Sequence, residues 1–592
     1  MLAGPIFSRE IQITPRQVKH FVTRAGYVAG LFVLMYTAGQ ATFGWQQARN
    51  IGEIARFGGL LFQILSIVQL SLVMFFAPLF AAGRVAQEKD RQTLILLLMT
   101  DLRDRELVLG KLLASLLPVG VLLLASAPVF AMVSMLGGIT PGQIAGSLAI
   151  CAATSLAAGS WGTLVAFWRE KTFQTLAISA LGIVLFVGLV ETSMALTAGM
   201  PNVGPWVSQF EPFRAMLLVI DPLSSTSGVW TVMGHLAALL GLSAVLNAVT
   251  VLRLRVWNPS RAGFEAAAVK PQESPEESAS TDATPTLRAT PTISSQPTRT
   301  IWSNPIIWRE IRTRAYGRRM VFIKLAYLAL CVFAVAYLVN VHESGRASDL
   351  ILGMISPHGF AFVGLTLVGL MLINAQTVTS LTTERDGRTL ELLLVTDISA
   401  REFVFGKLGG ALYNTKETLL FPLAGVTFLA VRDIISWENY AYLVLGLLLM
   451  ASFAAMLGLH AGLSFDNSRA AIANSLGTMF FLFLGVFLCM LLIVEARSSF
   501  LLQLPSFLVF ILGGSLGLWA SLTHKNPSPA LTLSALLLPF FTFYAITGFL
   551  LNDTLGIWAV VSATYGFTTL AMLIPAVSEF DVALGRTTLD KG

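Results

Sequence analysis

Residues 88–111 read EKDRQTLILLLMTDLRDRELVLGK, and residues 384–407, 296 positions later, read ERDGRTLELLLVTDISAREFVFGK. Of the 24 paired positions 14 are identical, far beyond chance, so the chain contains a duplication. A second echo precedes each copy, Pro5-Ile6-Phe7-Ser8-Arg9-Glu10 and Pro305-Ile306-Ile307-Trp308-Arg309-Glu310. Both echoes stand in the same order, which predicts two parallel halves rather than the inverted repeats of many secondary carriers.

Outward from each copy the sequence becomes continuously apolar. FQILSIVQLSLVMFF (62–76) and FFLFLGVFLCMLLIV (480–494) are apolar on every helical face, unlike the alternation of barrel strands. The 592 residues are 55% hydrophobic and only 12% charged, whereas a soluble domain carries roughly a quarter charged residues. Stretches of about 18 or more apolar residues suffice to cross a bilayer core as a helix. The expected spans are 25–44, 57–83, 112–137, 142–168, 174–198 and 230–252, then 321–341, 355–381, 410–431, 439–464, 470–494, 504–522, 530–551 and 555–578. The fold class expected is therefore an all-α polytopic membrane protein with two parallel six-helix bundles plus two extra C-terminal transmembrane helices, about 14 spans.

Loop charge sets the orientation, since Lys and Arg are retained on the inner side. With an inner N-terminus, 33 of the 39 Lys and Arg lie inside, leaving Arg49, Arg56, Arg214, Arg346, Arg432 and Arg497 outside. Both termini are then cytoplasmic, and the basic N-terminal region is an uncleaved anchor. Residues 1–256 form the first half. Residues 257–300, with prolines 259, 271, 275, 285, 291 and 297 among Ser, Thr and Glu, are expected to be a disordered cytoplasmic linker. Residues 301–525 form the second half, and 526–592 the two further spans and the C-terminus. Cys151, Cys331 and Cys489 fall in spans without a CxxC pair and read as small core residues.

Each repeated segment reads as a helix, a break and a second helix. In the second copy Asp386 or Thr389 can cap a short helix with Leu390 and Leu392 to Leu394 on its apolar side. Thr396 and Asp397 break it, and Ser399 with Glu402 has capping-box spacing for the helix running through Gly406-Lys407 into the membrane. Glu384, Arg385, Asp386, Arg388, Glu391, Arg401 and Glu402 crowd the tip. A solvated loop obeying only the orientation rule needs neither the acids nor the leucines, yet both recur. A rigid inner elbow with a docking surface accounts for them.

At this point the chain resembles the ABC-2 type permeases, whose motif runs approximately E-x-E-x-G-T-L-E-x-L-L-x-[ST]-P and then R-x-x-x-x-G-K. Glu384, Asp386, Gly387, Thr389, Leu390, Glu391, Leu393, Leu394, Thr396, Arg401, Gly406 and Lys407 follow it, as do Glu88, Asp90, Thr93, Leu94, Leu97, Leu98, Thr100, Arg105, Gly110 and Lys111. The first copy departs at Arg91 and Ile95, and Asp101 and Asp397 stand where the family usually has Pro. The resemblance implies that the elbow is a coupling helix docking an ATP-binding subunit, through Glu88, Asp90, Thr93, Leu94, Arg105 and Glu106 in one half. In the other half it assigns Glu384, Asp386, Gly387, Thr389, Leu390, Glu391, Arg401 and Glu402. It also implies an amphipathic helix before each half. In the second, Asn304 can cap, Pro305 fits the first turn, and Arg309, Arg312, Arg314, Arg318 and Arg319 would reach lipid phosphates. That position against a span argues against a nucleic-acid partner.

No G-x-x-x-x-G-K-[ST], H-E-x-x-H or G-x-S-x-G occurs. The chain is accordingly expected to be no enzyme, to bind no cofactor or metal itself, and to rely on ATP and Mg held by a partner ATPase, two copies of it. Glu191, His235, Lys416, Glu417 and His460 lie in or beside spans and are candidates for a substrate path, the alternative being that they satisfy one another at the bundle edge. The functional expectation is a permease subunit in a prokaryotic inner or plasma membrane, exporting its substrate. A non-transporting scaffold that recruits an ATPase for envelope remodelling, and an ion-coupled carrier, are the competing readings.

Overall fold

The computed structural model describes residues 4–13, 18–44, 50–197, 204–221, 228–258, 304–312, 321–343, 355–387, 389–390, 398–495, 500–525, 528–550 and 554–578. In the first half the helices are α1 (Gly4–Ile13), α2 (Val18–Phe43), α3 (Ile51–Asp90), α4 (Thr93–Leu98), α5 (Asp104–Ser134), α6 (Pro141–Trp168), α7 (Thr172–Thr197), α8 (Gly204–Ser208), α9 (Pro212–Ile220) and α10 (Gly228–Trp257). The second half begins with α11 (Pro305–Arg312), α12 (Val321–Glu343), α13 (Pro357–Asp386), α14 (Ala400–Asn414) and α15 (Glu417–Val431). It continues through α16 (Trp437–Ser464), α17 (Ser468–Glu495), α18 (Phe500–Leu522), α19 (Pro529–Leu550) and α20 (Thr554–Ser578). Among the described residues 13 helices are long and apolar enough to cross a membrane. The protein is an all-helical polytopic membrane protein. The linker expected at 257–300 lies, apart from Trp257 and Asn258, outside the described residues.

Helix starts follow local chemistry. Thr140 accepts from the backbone N–H of Gln143 while the Gln143 side chain accepts from the N–H of Thr140, and Pro141 fills the first turn. Ser356 and Ser436 likewise accept from the N–H groups of Gly359 and Asn439.

In lipid, helices associate through close packing rather than apolar burial, and small residues set how closely they approach. Gly162 of α6 lies against the backbone of Pro78 in α3, leaving no room for a Cβ. Its counterpart 296 residues on, Gly458 of α16, lies against Asn374 of α13 in the same way. The central helix pair of each half is thus a duplicated feature. Buried Asn374 is satisfied there, donating to the Ala454 carbonyl (2.9 Å) and accepting from Ser475 Oγ (2.8 Å).

The expected span 410–431 is divided. α14 ends at Asn414, and α15 restarts at Glu417 as a helix of 15 residues, short of a full span. Pro422 cannot donate to the Thr418 carbonyl; that carbonyl accepts instead from the buried Tyr327 hydroxyl (3.1 Å). Thr415 and Thr418 hydroxyls return to Ala411 and Thr415 carbonyls, so side chains satisfy the backbone at the break.

The halves pack alike. α6 sits against α3, α5, α7 and α10, and α16 sits against α13, α14, α15, α17 and α20. The last helix, α20, therefore lies on α16 as α10 lies on α6. α18 and α19 occupy the chain position that α8 and α9 fill in the first half, and α18 packs on α2. Between the halves, α12 and α13 pack on α7, while α17 packs on α3.

Candidate functional site: the paired elbows

The two elbows share their described anchors. α3 ends at Asp90, and Gln92 takes the left-handed conformation (φ 58°) that turns the chain into α4. Thr93 Oγ1 donates back to the Glu88 carbonyl (3.3 Å), and its counterpart Thr389 Oγ1 donates to the Glu384 carbonyl (3.2 Å). Thr389 therefore closes the preceding helix. Leu94 and Leu390 are buried, and Leu94 pins α4 to the bundle. On the other side of α4, Leu96 and Met99 are about two-thirds exposed. Arg91, Asp101, Arg103 and Arg105 around them are exposed too. Arg388 and residues 391–397, Glu391 among them, lie outside the described residues.

The following helices are capped as expected. The Ser399 N–H donates to the Glu402 carboxylate (3.0 Å) and the Glu402 N–H to Ser399 Oγ (3.3 Å). These bonds from Ser399 hold the Glu402 carboxyl below its ordinary range. In the first copy Arg103 N–H donates to Glu106 (3.3 Å), and Asp104 receives Arg255 of α10 (2.9 Å).

The motif's acids face inward. Glu88 pairs with Lys111, and Glu384 with Lys407 (2.7 Å). Lys407 is fully buried and also pairs with Glu310 of α11 (2.7 Å). Arg309 joins both Glu384 and Glu310; it is held by carboxylates rather than extended to lipid phosphate as its sequence position suggests. The reason is the two acids beside it, which a cation near low-dielectric surroundings pairs with. In the first half Glu10 of α1 pairs with Arg84 (2.9 Å). In the second half Gly406 and Gly410 let α14 seat closely on α11, because a Cβ on either would stand 2.6 Å from the Cβ of Ile306 or Glu310. Asn304 caps α11 as expected, accepting from the N–H groups of Ile306 and Ile307.

Of the remaining acids, Asp386 joins the elbows to each other. Arg91, the departure in the first copy, donates through Nε and Nη2 to Asp386 of the second (3.2 Å each). Gln87 donates to Asn467 (3.2 Å) and accepts from Arg469 (3.1 Å). Asp90 accepts from Thr172, and Lys89 donates to the Phe167 and Arg169 carbonyls. Thus Glu88, Asp90, Glu384 and Asp386 are internal ties, whereas Thr93, Arg105, Gly387, Thr389 and Arg401 are exposed and Glu106 and Glu402 half-buried. Lys111, Lys407, Glu10 and Glu310 were the residues that sequence reasoning left without a role. Their signal was present: all four stand in the repeated segments.

The five intramembrane candidates do not converge. Glu191 receives a bidentate pair from Arg214 of α9 (2.9 and 2.8 Å), which also pairs with Glu211 (3.1 Å). His235 is buried in α10. Glu417 pairs with Lys324, and Lys416 lies over the Tyr413 ring (4.2 Å). His460 Nε2 is 2.8 Å from the Leu522 carbonyl. The partners of Glu191, Lys416, Glu417 and His460 each lie within the same half.

Against this geometry, residues 50–252 match the family described as ABC-2 family transporter protein. The match covers about a third of the chain and lies within its first half, which is similar to permeases of that family. No curated relative matches the chain. The matched stretch holds α3 to α9 and most of α10, so it includes the entire first elbow.

Proposed function

We propose that the chain supplies both halves of an exporter and that two separate ATP-binding subunits dock from the cytoplasm, one beneath each elbow. The carrying observation is the apolar tip of α4: Leu96 and Met99 stand exposed on a helix whose opposite side is pinned by buried Leu94. Exposed apolar groups rimmed by charge at an aqueous end mark a contact surface. The internal ties give that surface leverage. A push on either elbow is passed to α3 and α5, or to α13 and α14, through Glu88–Lys111 and Glu384–Lys407. ATP and Mg then belong to the partner, and this chain performs no hydrolysis. In this reading the chain sits in a prokaryotic inner membrane, and the distribution of Lys and Arg supports cytoplasmic termini.

The test is purification in mild detergent from native membranes, scoring a copurified ATPase. Leu96→Asp with Met99→Asp should abolish recovery while the permease remains monodisperse. Unchanged recovery would refute docking at this tip. ATP-dependent movement of a solute or lipid in vesicles separates the exporter from a scaffold.

A further inference from the structure

The inner end of α3 reaches further than that of α13. Five consecutive residues of an α-helix sweep about 400° around its axis, so a helix end ringed by neighbours can offer a side chain to each. Residues 87–91 do so. Glu88 pairs with Lys111 of α5, and Lys89 donates to the Phe167 and Arg169 carbonyls at the end of α6 (2.6 and 2.9 Å). Asp90 accepts from Thr172, the first residue of α7. The other two cross to the second half. Gln87 donates to the side chain of Asn467 (3.2 Å), which also accepts from the Arg469 N–H in the first turn of α17 (3.2 Å). The Arg469 guanidinium donates back to Gln87 (3.1 Å), and Arg91 holds Asp386.

The end of α13 does not reciprocate. The counterparts of Gln87 and Arg91, 296 residues on, are Thr383 and Gly387, a shorter side chain and none. Glu384 pairs with Lys407 of α14, and Arg385 donates to the Gly462 carbonyl of α16 (2.8 Å) and to that of Phe465. All of these partners lie in the second half. Among the described residues, the polar tie from this helix end to the first half is Asp386 under Arg91. Apolar packing also joins α13 to α7, where Leu372, Ala375 and Val378 share a core with Leu176 and Leu181. Val378 is eight residues from the end of α13, about 12 Å along the helix. Such contacts are non-directional, whereas the bonds of Gln87 and Arg91 fix geometry at the elbow itself.

We infer that Gln87 and Arg91 are positioning residues that carry a displacement of the first elbow into the second half. This elbow then governs the inner ends of both α7 and α17, while the second elbow governs its own half. The inference deepens the exporter reading, in which an ATPase supplies the displacement, but the relay is read without one. Hydrogen exchange is followed in the full chain in lipid nanodiscs, at the first turns of α7 (172–175) and α17 (468–471). Leu94→Ala loosens the first elbow and Leu390→Ala the second. Leu94→Ala should speed exchange about fivefold or more at both turns, a small part of what truncating a buried leucine costs. Leu390→Ala should leave the α7 turn unchanged. Thr93→Val, which removes the hydroxyl bond to the Glu88 carbonyl, is the milder variant and should act as Leu94→Ala does. With Gln87→Leu and Arg91→Gly both present, the Leu94→Ala increment at α17 should vanish and that at α7 persist. Arg91→Lys alone should pass the increment on as the parent does. An unchanged α17 turn in Leu94→Ala, an increment there that survives the double substitution, or an equal effect of Leu390→Ala at α7 would overturn the relay. If exchange behaves as expected but no ATPase copurifies, the relay stands and the exporter reading fails.

Discussion

Lys407 has no exposed side-chain surface and lies between the carboxylates of Glu310 and Glu384. Removing one partner of a buried ion pair is destabilising by about 3–5 kcal/mol, because an uncompensated charge stays behind. Lys407→Met should therefore lower unfolding stability in detergent by that order. Lys111→Met, whose pair with Glu88 is more exposed, should cost clearly less; equal losses in thermal unfolding would refute this ranking. At this scale the sequence told which side chains recur, but not which way they face. Glu384 looked like a surface acid because its partners are 23 positions ahead and 75 behind, in Lys407 and Arg309. Arg91 looked like a lapse from the motif, and only the fold brings Asp386 to it.

Elements were legible where a local rule governs them. The Ser399–Glu402 box, the Asn304 cap and the spans themselves follow from spacing and apolar length. The break before α15 falls in the polar run Asn414-Thr415-Lys416-Glu417-Thr418, but a span continuing through it could not be excluded from sequence because its support comes from Tyr327, about 90 residues away. The close seat of α11 on α14 predicts that Gly410→Ala will force Glu310 aside, an overpacking change of about 1–3 kcal/mol; protection of α11 in hydrogen exchange should fall, and unchanged protection would contradict the contact. At the opposite end, α9 is held by Glu191, Arg214 and Glu211. Burial, and then the neighbouring Glu191 charge, raise Glu211 to about 7 from 4.5. The folded protein thus keeps a proton that the unfolded chain releases, so stability falls as pH rises from about 4.5 to 7 and is level above. Glu211→Gln should flatten that slope in thermal unfolding scans at pH 5 and pH 8.

At the scale of the molecule, the duplication was plain and the arrangement was not. Periodicity finds spans without saying that α20 takes the place of α10, or that α18 comes between α2 and α17. The elbows meet through Arg91–Asp386 and Gln87–Asn467. A protease site placed in 259–303 should yield two fragments that stay associated in mild detergent, and Arg91→Gly should speed their separation; an unaltered rate would show that tie to be idle. The two seams carry one more consequence: α12 packs closely on α7, whereas its counterpart α2 has only slight contact with α17. In a homodimer every substitution occurs twice, related by the twofold axis, so the two seams would have to be alike. Joining the copies in one polypeptide removes that obligation, and position 173 can be phenylalanine while position 469 is arginine. Covalent fusion here is what permits a lopsided machine.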